Sequence, residues 1–232
     1  MATKTVLVTG ATRGIGLKFV EVYIQLGWNV IATARDPTKA DDLRALAPYK
    51  IVQLDSADED SILRAARELD TEAIDLLVNN AGVLIDGDMN TTTKADMLKQ
   101  FDVNCVGTFL VTRAFVPHLK RAVASHGAAT AAQLSSYLGS ITLNNGAFHG
   151  MFGYRISKAA LNMLNASLAI ELKGDNIAVF SLHPGLVTTD LNPIYGNITT
   201  DTSVRALMGV LDKLTLADSG KFYDYNGENL PW

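Results

Sequence analysis

Apolar runs and amphipathic stretches alternate along this chain almost without a break, and that alternation leaves few folds open to it. KTVLVTG (4–10) is a continuous apolar run that predicts a buried strand. In GLKFVEVYIQLG (16–27), Phe19, Val20, Tyr23 and Ile24 fall at i, i+1, i+4 and i+5, and Gly27 closes the stretch, so a helix is predicted. NVIATA (29–34) is the next strand; Asp36 and Pro37 then read as a helix N-cap and first helical residue. KIVQLD (50–55) predicts a strand, SILRAARELD (61–70) a helix, and AIDLLVNNAG (73–82) a strand running into a turn. Helices are predicted over about 93–124 and a strand at 129–136, then a long helix at 154–172 and a strand at 176–185. A helix near 202–213 and a short strand at 221–224 follow. Strands that are apolar throughout, separated by helices, imply a parallel sheet covered on both faces. The expectation is one doubly wound α/β domain over residues 1–232, with about seven strands and helices on both faces. Such a sheet binds its ligand beyond the carboxyl ends of its strands.

Composition narrows the function. With 232 residues, 48% of them hydrophobic, the chain can bury a three-layer core. A net charge of -4 and the absence of any Lys/Arg run argue against nucleic acid or an anionic membrane as partner. No apolar run approaches the ~20 residues of a membrane span. One cysteine, Cys105, allows no intrachain disulfide and no cysteine-based metal site, and it reads as a packed apolar residue. His118, His126, His149 and His183 show no ligand spacing, so no metal is expected. A reduced, cytoplasmic setting follows from the same features.

Two patterns carry chemistry. TGATRGIG (9–16) joins the first strand to the first helix, with Gly10, Gly14 and Gly16 spaced GxxxGxG. There Gly10 permits a sharp turn, Gly14 a close approach of backbone to a pyrophosphate, and Gly16 close packing of helix on strand. The helix N-terminus adds N–H groups and partial positive charge suited to phosphate. In YRISK (154–158), Tyr154 and Lys158 stand at i and i+4 and share one helix face. A free tyrosine has a pKa near ~10, and a neighbouring ammonium lowers it toward the range useful to a general acid or base.

TGATRGIG, NNAG at 79–82, YRISK and HPGLVTTD at 183–190 occur in the order and approximate spacing of the short-chain dehydrogenase/reductase family, and the resemblance spans essentially the whole chain. YRISKAALNML and the tail GKFYDYNGENLPW look like its C-factor and sniffer-type carbonyl reductase branch. The resemblance implies a Rossmann domain and an NADP(H)-dependent carbonyl reductase that acts on a small-molecule carbonyl substrate. It implies that Tyr154 exchanges a proton with the substrate oxygen, while Lys158 bonds the nicotinamide ribose. Asn104 matches the helix asparagine of the family's proton relay. The family's serine is assigned to Ser136, the second of LSS, with Ser135 and Ser140 as alternatives. The interval from Ser136 to Tyr154 is eighteen residues where the family usually has thirteen.

For the cofactor, the same resemblance assigns Gly10, Thr12, Arg13, Gly14, Ile15 and Gly16 in the first turn. Asp55 and Ser56 are assigned to the adenine, and Asn80, Ala81 and Gly82 to the adenosine ribose, with Asn79 bracing the sheet. Pro184, Gly185, Val187 and Thr189 are assigned to the nicotinamide side. NAD enzymes of this fold place an acid after the second strand, and NADP enzymes an arginine near the 2′-phosphate. By the family pattern the acidic position falls on Ala34 and is followed by Arg35, while Asp36 is placed to cap the next helix. NADP(H) is therefore expected, with Arg35 and Arg13 at the 2′-phosphate. Residues 137–153 carry Tyr137, Leu138, Phe148, Met151 and Phe152 among glycines, as a loop lining an apolar pocket would. The family also implies a homodimer through the helices near 106–124 and 154–172. The alternatives are a dinucleotide-binding signal or sensor protein with little turnover, and an epimerase or dehydratase, whose longer substrate domain 232 residues barely permit.

Overall fold

The computed structural model describes residues 3–192 and 196–232. Seven strands form one parallel sheet: β1 (Thr5–Val8), β2 (Asn29–Ala34), β3 (Lys50–Gln53), β4 (Leu76–Asn79), β5 (Ala129–Leu134), β6 (Ile177–His183) and β7 (Phe222–Asp224). Their order is β3-β2-β1-β4-β5-β6-β7, and every pairing is parallel. The chain therefore winds outward from β1 in one direction, then crosses back and winds outward through β4. The reversal between β1 and β4 opens a crevice at the carboxyl ends of those two strands.

Strand alternation feeds two cores. Val6, Val8, Val30, Ala32 and Val78 face α1 (Gly14–Gln25), the short α2 (Asp41–Ala45) and α7 (Thr200–Leu211). Leu7, Ile31, Leu77, Ala131 and Val179 face α3 (Glu59–Glu68), α5 (Gly107–His126) and α6 (Phe152–Leu172). Phe19 on the first side and Phe115 and Leu119 on the second are fully buried. Side chains of this size contribute about 1.5–3 kcal/mol each on burial. At the amino ends of the strands the helices turn back through left-handed corners at Gly27, Gly127 and Asn176 (φ +76°, +88° and +57°).

The predicted elements are all present, with differences that have local causes. β1 ends at Val8 because Thr9 turns its hydroxyl to the β4 loop, where it accepts from Asn80 N and Ala81 N at 3.0 Å each. Asp36 caps as expected, accepting from Thr38 N at 3.1 Å, but it caps a single 3₁₀ turn, Pro37–Lys39, ahead of α2. The helices predicted over about 93–124 are two. α4 (Lys94–Phe101) starts at a reciprocal cap between Thr93 and Asp96, and a π turn at Asp102–Val106 joins it to α5. That turn has a steric partner: a Cβ on Gly107 would stand 2.2 Å from the Ser56 carbonyl oxygen. No helix among the described residues is long and apolar enough to cross a membrane.

Candidate active site

The glycine turn is built on absent side chains. Gly10 and Gly14 have φ of +64° and +57°, where L-residues are strained. A Cβ on Gly10 would come within 2.9 Å of Ala81 Cα, and one on Gly16 within 2.2 Å of the Gly10 carbonyl oxygen and 2.5 Å of Asn80 Nδ2. Asn80 spends that amide on the turn, donating to the Thr9 and Gly10 carbonyls at 2.9 and 3.1 Å. The turn is thereby fixed against the β4 loop at the N-terminus of α1. Gly16→Ala is expected to cost about 1–3 kcal/mol through overpacking and to weaken dinucleotide binding. Thermal unfolding and a cofactor titration check both effects.

Around this turn lies a cleft of about 440 Å³. Gly10, Thr12, Arg13, Gly14, Ile15 and Gly16 line one wall, and Arg35, Asp55 and Ser56 stand at the far end. Asn80, Ala81 and Gly82 close the β4 side. Thr189 folds over from the loop after β6, its Cγ2 3.5 Å from where a Gly14 Cβ would be, and Asp190 Oδ2 lies 3.5 Å from Arg13 Nε. A glycine cradle, a helix N-terminus and two exposed guanidiniums in one cleft form a donor set that fits a phosphorylated dinucleotide.

The cleft's inner end is Gly82, whose Cβ position lies 3.2 Å from Asn104 Oδ1 and 3.8 Å from Lys158 Nζ. Ser136, Tyr154 and Lys158 lie just beyond it. They meet because Gly139 lets the chain after β5 press on α6: a Cβ there would be 2.6 Å from the Lys158 carbonyl carbon. Ser136 heads the 3₁₀ turn Tyr137–Gly139, accepting from Leu138 N at 3.2 Å, and its side chain is near enough to Tyr154 to favour the charged phenolate. Ser135 points the other way, donating to Asn162 Oδ1 at 2.6 Å, and Ser140 accepts from Leu143 N at 3.1 Å. Of the three serines, Ser136 is the one that stands at the tyrosine.

The electrostatics differ from those read from helix spacing. Burial pushes the Tyr154 phenol up to about 12, and the nearby Ser136 side chain pulls the other way. Burial also draws the Lys158 ammonium down to about 8. The ammonium sits 5.6 Å from the Tyr154 ring centroid and donates to the Leu134 carbonyl at 2.6 Å. Desolvation is the first cause of both shifts. Asn104 is fully buried. It donates to Val83 O and Ser157 Oγ at 2.9 Å each, and accepts from Val83 N at 2.8 Å. Its side chain clamps the β4 loop to α6. Burial pushes the Cys105 thiol up against a smaller opposing effect of Lys158, which suits a packed residue.

The short chain dehydrogenase family model matches residues 4–197. This chain is a short-chain dehydrogenase. It is 36% identical to C-signal of Myxococcus xanthus over 166 residues, 70% of this chain and 95% of that one. Among solved structures, the NADPH-bound carbonyl reductase from chicken fatty liver superposes with a TM-score of 0.93 at 36% identity, covering the whole of both chains. The carbonyl reductase Sniffer of D. melanogaster also reaches 0.93, at 28% identity and full coverage of both.

In this short-chain dehydrogenase the loop after β6 is held by contacts of its own. Val187 is buried in a bridge to Ile198, and Pro184 O accepts from Ser203 Oγ at 2.5 Å. Gly185 (φ +83°) turns the chain against Ile198 and Tyr225. Asn79 braces the sheet as expected, donating to Thr112 Oγ1 at 3.0 Å and Gln133 Oε1 at 2.8 Å. Asp55 closes a turn by accepting from Ala57 N at 3.0 Å, and Asp58 caps α3. Sequence reasoning missed Thr33 and Leu54, which follow the rule that residues at strand carboxyl ends line the site. It also missed Lys99 and Asp102, which reach the cleft from α4 and the π turn and carried no motif.

Proposed function

We propose that residues 1–232 act as one domain that reduces a small-molecule carbonyl with NADPH, or oxidises the alcohol in reverse. The observation that carries this reading is buried Lys158, 5.6 Å from the Tyr154 ring centroid, at the Gly82 end of a glycine-cradled cleft. The NADPH-bound chicken neighbour supports the choice of cofactor. Here the α1 N-terminus with Gly10, Thr12, Gly14 and Ile15 would hold the pyrophosphate, and Arg13 and Arg35 the 2′-phosphate. When bound, NADPH supplies the hydride. The chain's own residues handle the proton. Tyr154 is a phenol at neutral pH, since burial keeps its pKa near 12, so it holds the proton that a carbonyl oxygen must receive. Ser136, whose oxygen accepts from Leu138 N–H, would donate its proton to an oxygen gaining negative charge when substrate is bound. Lys158 brings positive charge to the same pocket and is placed to reach a ribose hydroxyl. Asn104 holds the β4 loop and α6 in register around it.

Exposed Phe109 on α5 and Ile156, Met163 and Ile170, one per two turns of α6, support a homodimer. The 36% identity to C-signal favours a second reading, a dinucleotide-binding signal protein with little turnover. The deciding experiment follows NADPH oxidation over aldehydes, ketones, quinones and 1,2-diketones, with light scattering on the same preparation. Turnover on at least one class is expected from a dimer. Cofactor binding without turnover on any class would transfer the case to the signal-protein reading.

A further inference from the structure

The loop between Ser136 and Tyr154 is held from a direction that the site itself does not explain. After β7 the chain folds back on that strand. Asp224 N donates to Glu228 O at 2.8 Å, Tyr223 bridges Asn229, and Leu230 N donates to Phe222 O at 2.7 Å. This return lays the Trp232 indole on the ring of fully buried Phe222, with centroids 5.6 Å apart and planes 14° from parallel. From there the Trp232 carbonyl oxygen accepts from Thr142 N at 3.0 Å. The bonds of Leu143 and Asn144 N–H beside Thr142 are local, to Ser140 Oγ and Ile141 O, and Ile141 is exposed.

Farther along, the loop is tied to α6 and to the β4 loop. Arg155 donates to Phe148 O at 2.8 Å and to Asn144 Oδ1, and Met151 N donates to Gly87 O at 2.8 Å. The Phe148 ring meets Tyr137 edge-on at 5.8 Å, and Tyr137 meets His183 at 4.8 Å. Tyr137 directly follows Ser136. The position of the loop at Thr142 is thus passed, over a few residues, to the aromatic wall next to the serine.

We propose that Trp232 is a positioning residue: its stack on Phe222 latches the loop at Thr142, and the latch sets the room left for apolar substrates beside Ser136. This rests on the carbonyl-reductase reading for its substrate, and the latch itself is measurable without it. The sequence holds two tryptophans, so Trp28→Phe makes Trp232 the single indole reporter.

The test compares Trp232→Ala and Trp232→Phe in two measurements. The first is amide hydrogen exchange over residues 140–150, which needs no substrate. The second is steady-state reduction of a bulky apolar ketone and of a small aldehyde. Trp232→Ala is expected to speed exchange at Thr142 and its neighbours, and to raise KM for the bulky ketone about tenfold more than for the aldehyde. Trp232→Phe, which keeps an aromatic stack, is expected to restore most of both. Unchanged exchange in Trp232→Ala overturns the latch. Faster exchange with equal KM changes for the two substrates overturns the positioning role. Absence of turnover in the unmodified protein counts against the reductase reading, while the exchange comparison still decides the latch.

Discussion

Tyr154→Phe is expected to cut carbonyl reduction by about 10²–10⁴-fold, the range for loss of a general acid, while NADPH affinity stays close to that of the unmodified protein. The substitution removes one oxygen and keeps the ring in a site that is 9% exposed. The ring packing is kept, so the fold should survive with a small change in Tm. A defect in kcat with cofactor binding preserved therefore reports chemistry. Turnover within a few-fold of the unmodified protein, at matched cofactor affinity, would falsify the role given to this hydroxyl.

The second large effect concerns the choice of dinucleotide. Arg35→Ala is expected to weaken NADPH binding by about 1.5–3 kcal/mol, the range of a hydrogen bond to a charged group, and to leave NADH nearly untouched. Arg35 follows Ala34 at the carboxyl end of β2, and both line the cleft with Arg13. Asp36, the acid that could have received a ribose hydroxyl, is committed elsewhere. Its carboxylate accepts from Thr38 N and Oγ1 and pairs with Lys39 at 3.1 Å; the Thr38 hydroxyl is the first cause of its lowered pKa, followed by Lys39. Guanidinium groups recognise a phosphate through several charge-assisted bonds, and NAD offers none at that position. Ala34→Asp should move the preference toward NADH. Paired titrations with NADPH and NADH settle the matter, and equal affinity for both in the unmodified protein would return Asp36 to consideration.

Local pattern carried much of this molecule. The alternation of apolar runs and helical periods placed all seven strands, because strands buried on both faces cannot hide their composition. Helical spacing brought Tyr154 and Lys158 to one face for the same reason. What spacing could not supply was solvent. How deeply α6 buries that pair depends on Gly139 letting the chain after β5 close on it, and depth reversed the expected shift of the phenol. Strand alternation allows only one of Ser135 and Ser136 to face the site and does not say which; the choice of Ser136 came from the family motif. The contacts that hold Pro184 and Val187 come from the later segment around Ile198 and Ser203, which a motif that fixes only order along the chain does not give. The π turn at Asp102–Val106 had no signature in residue type at all.

The left-handed corners at Gly27 and Gly127 bear on how the protein can be handled. Both lie at the amino ends of the strands, the edge opposite the cleft, and a Cβ at either would meet nothing within 4 Å. A tether to a solid support at either corner would leave the catalytic mouth facing the bulk solution. The geometry of the sheet thus gives an orientation for immobilising the molecule as well as a place for its ligand.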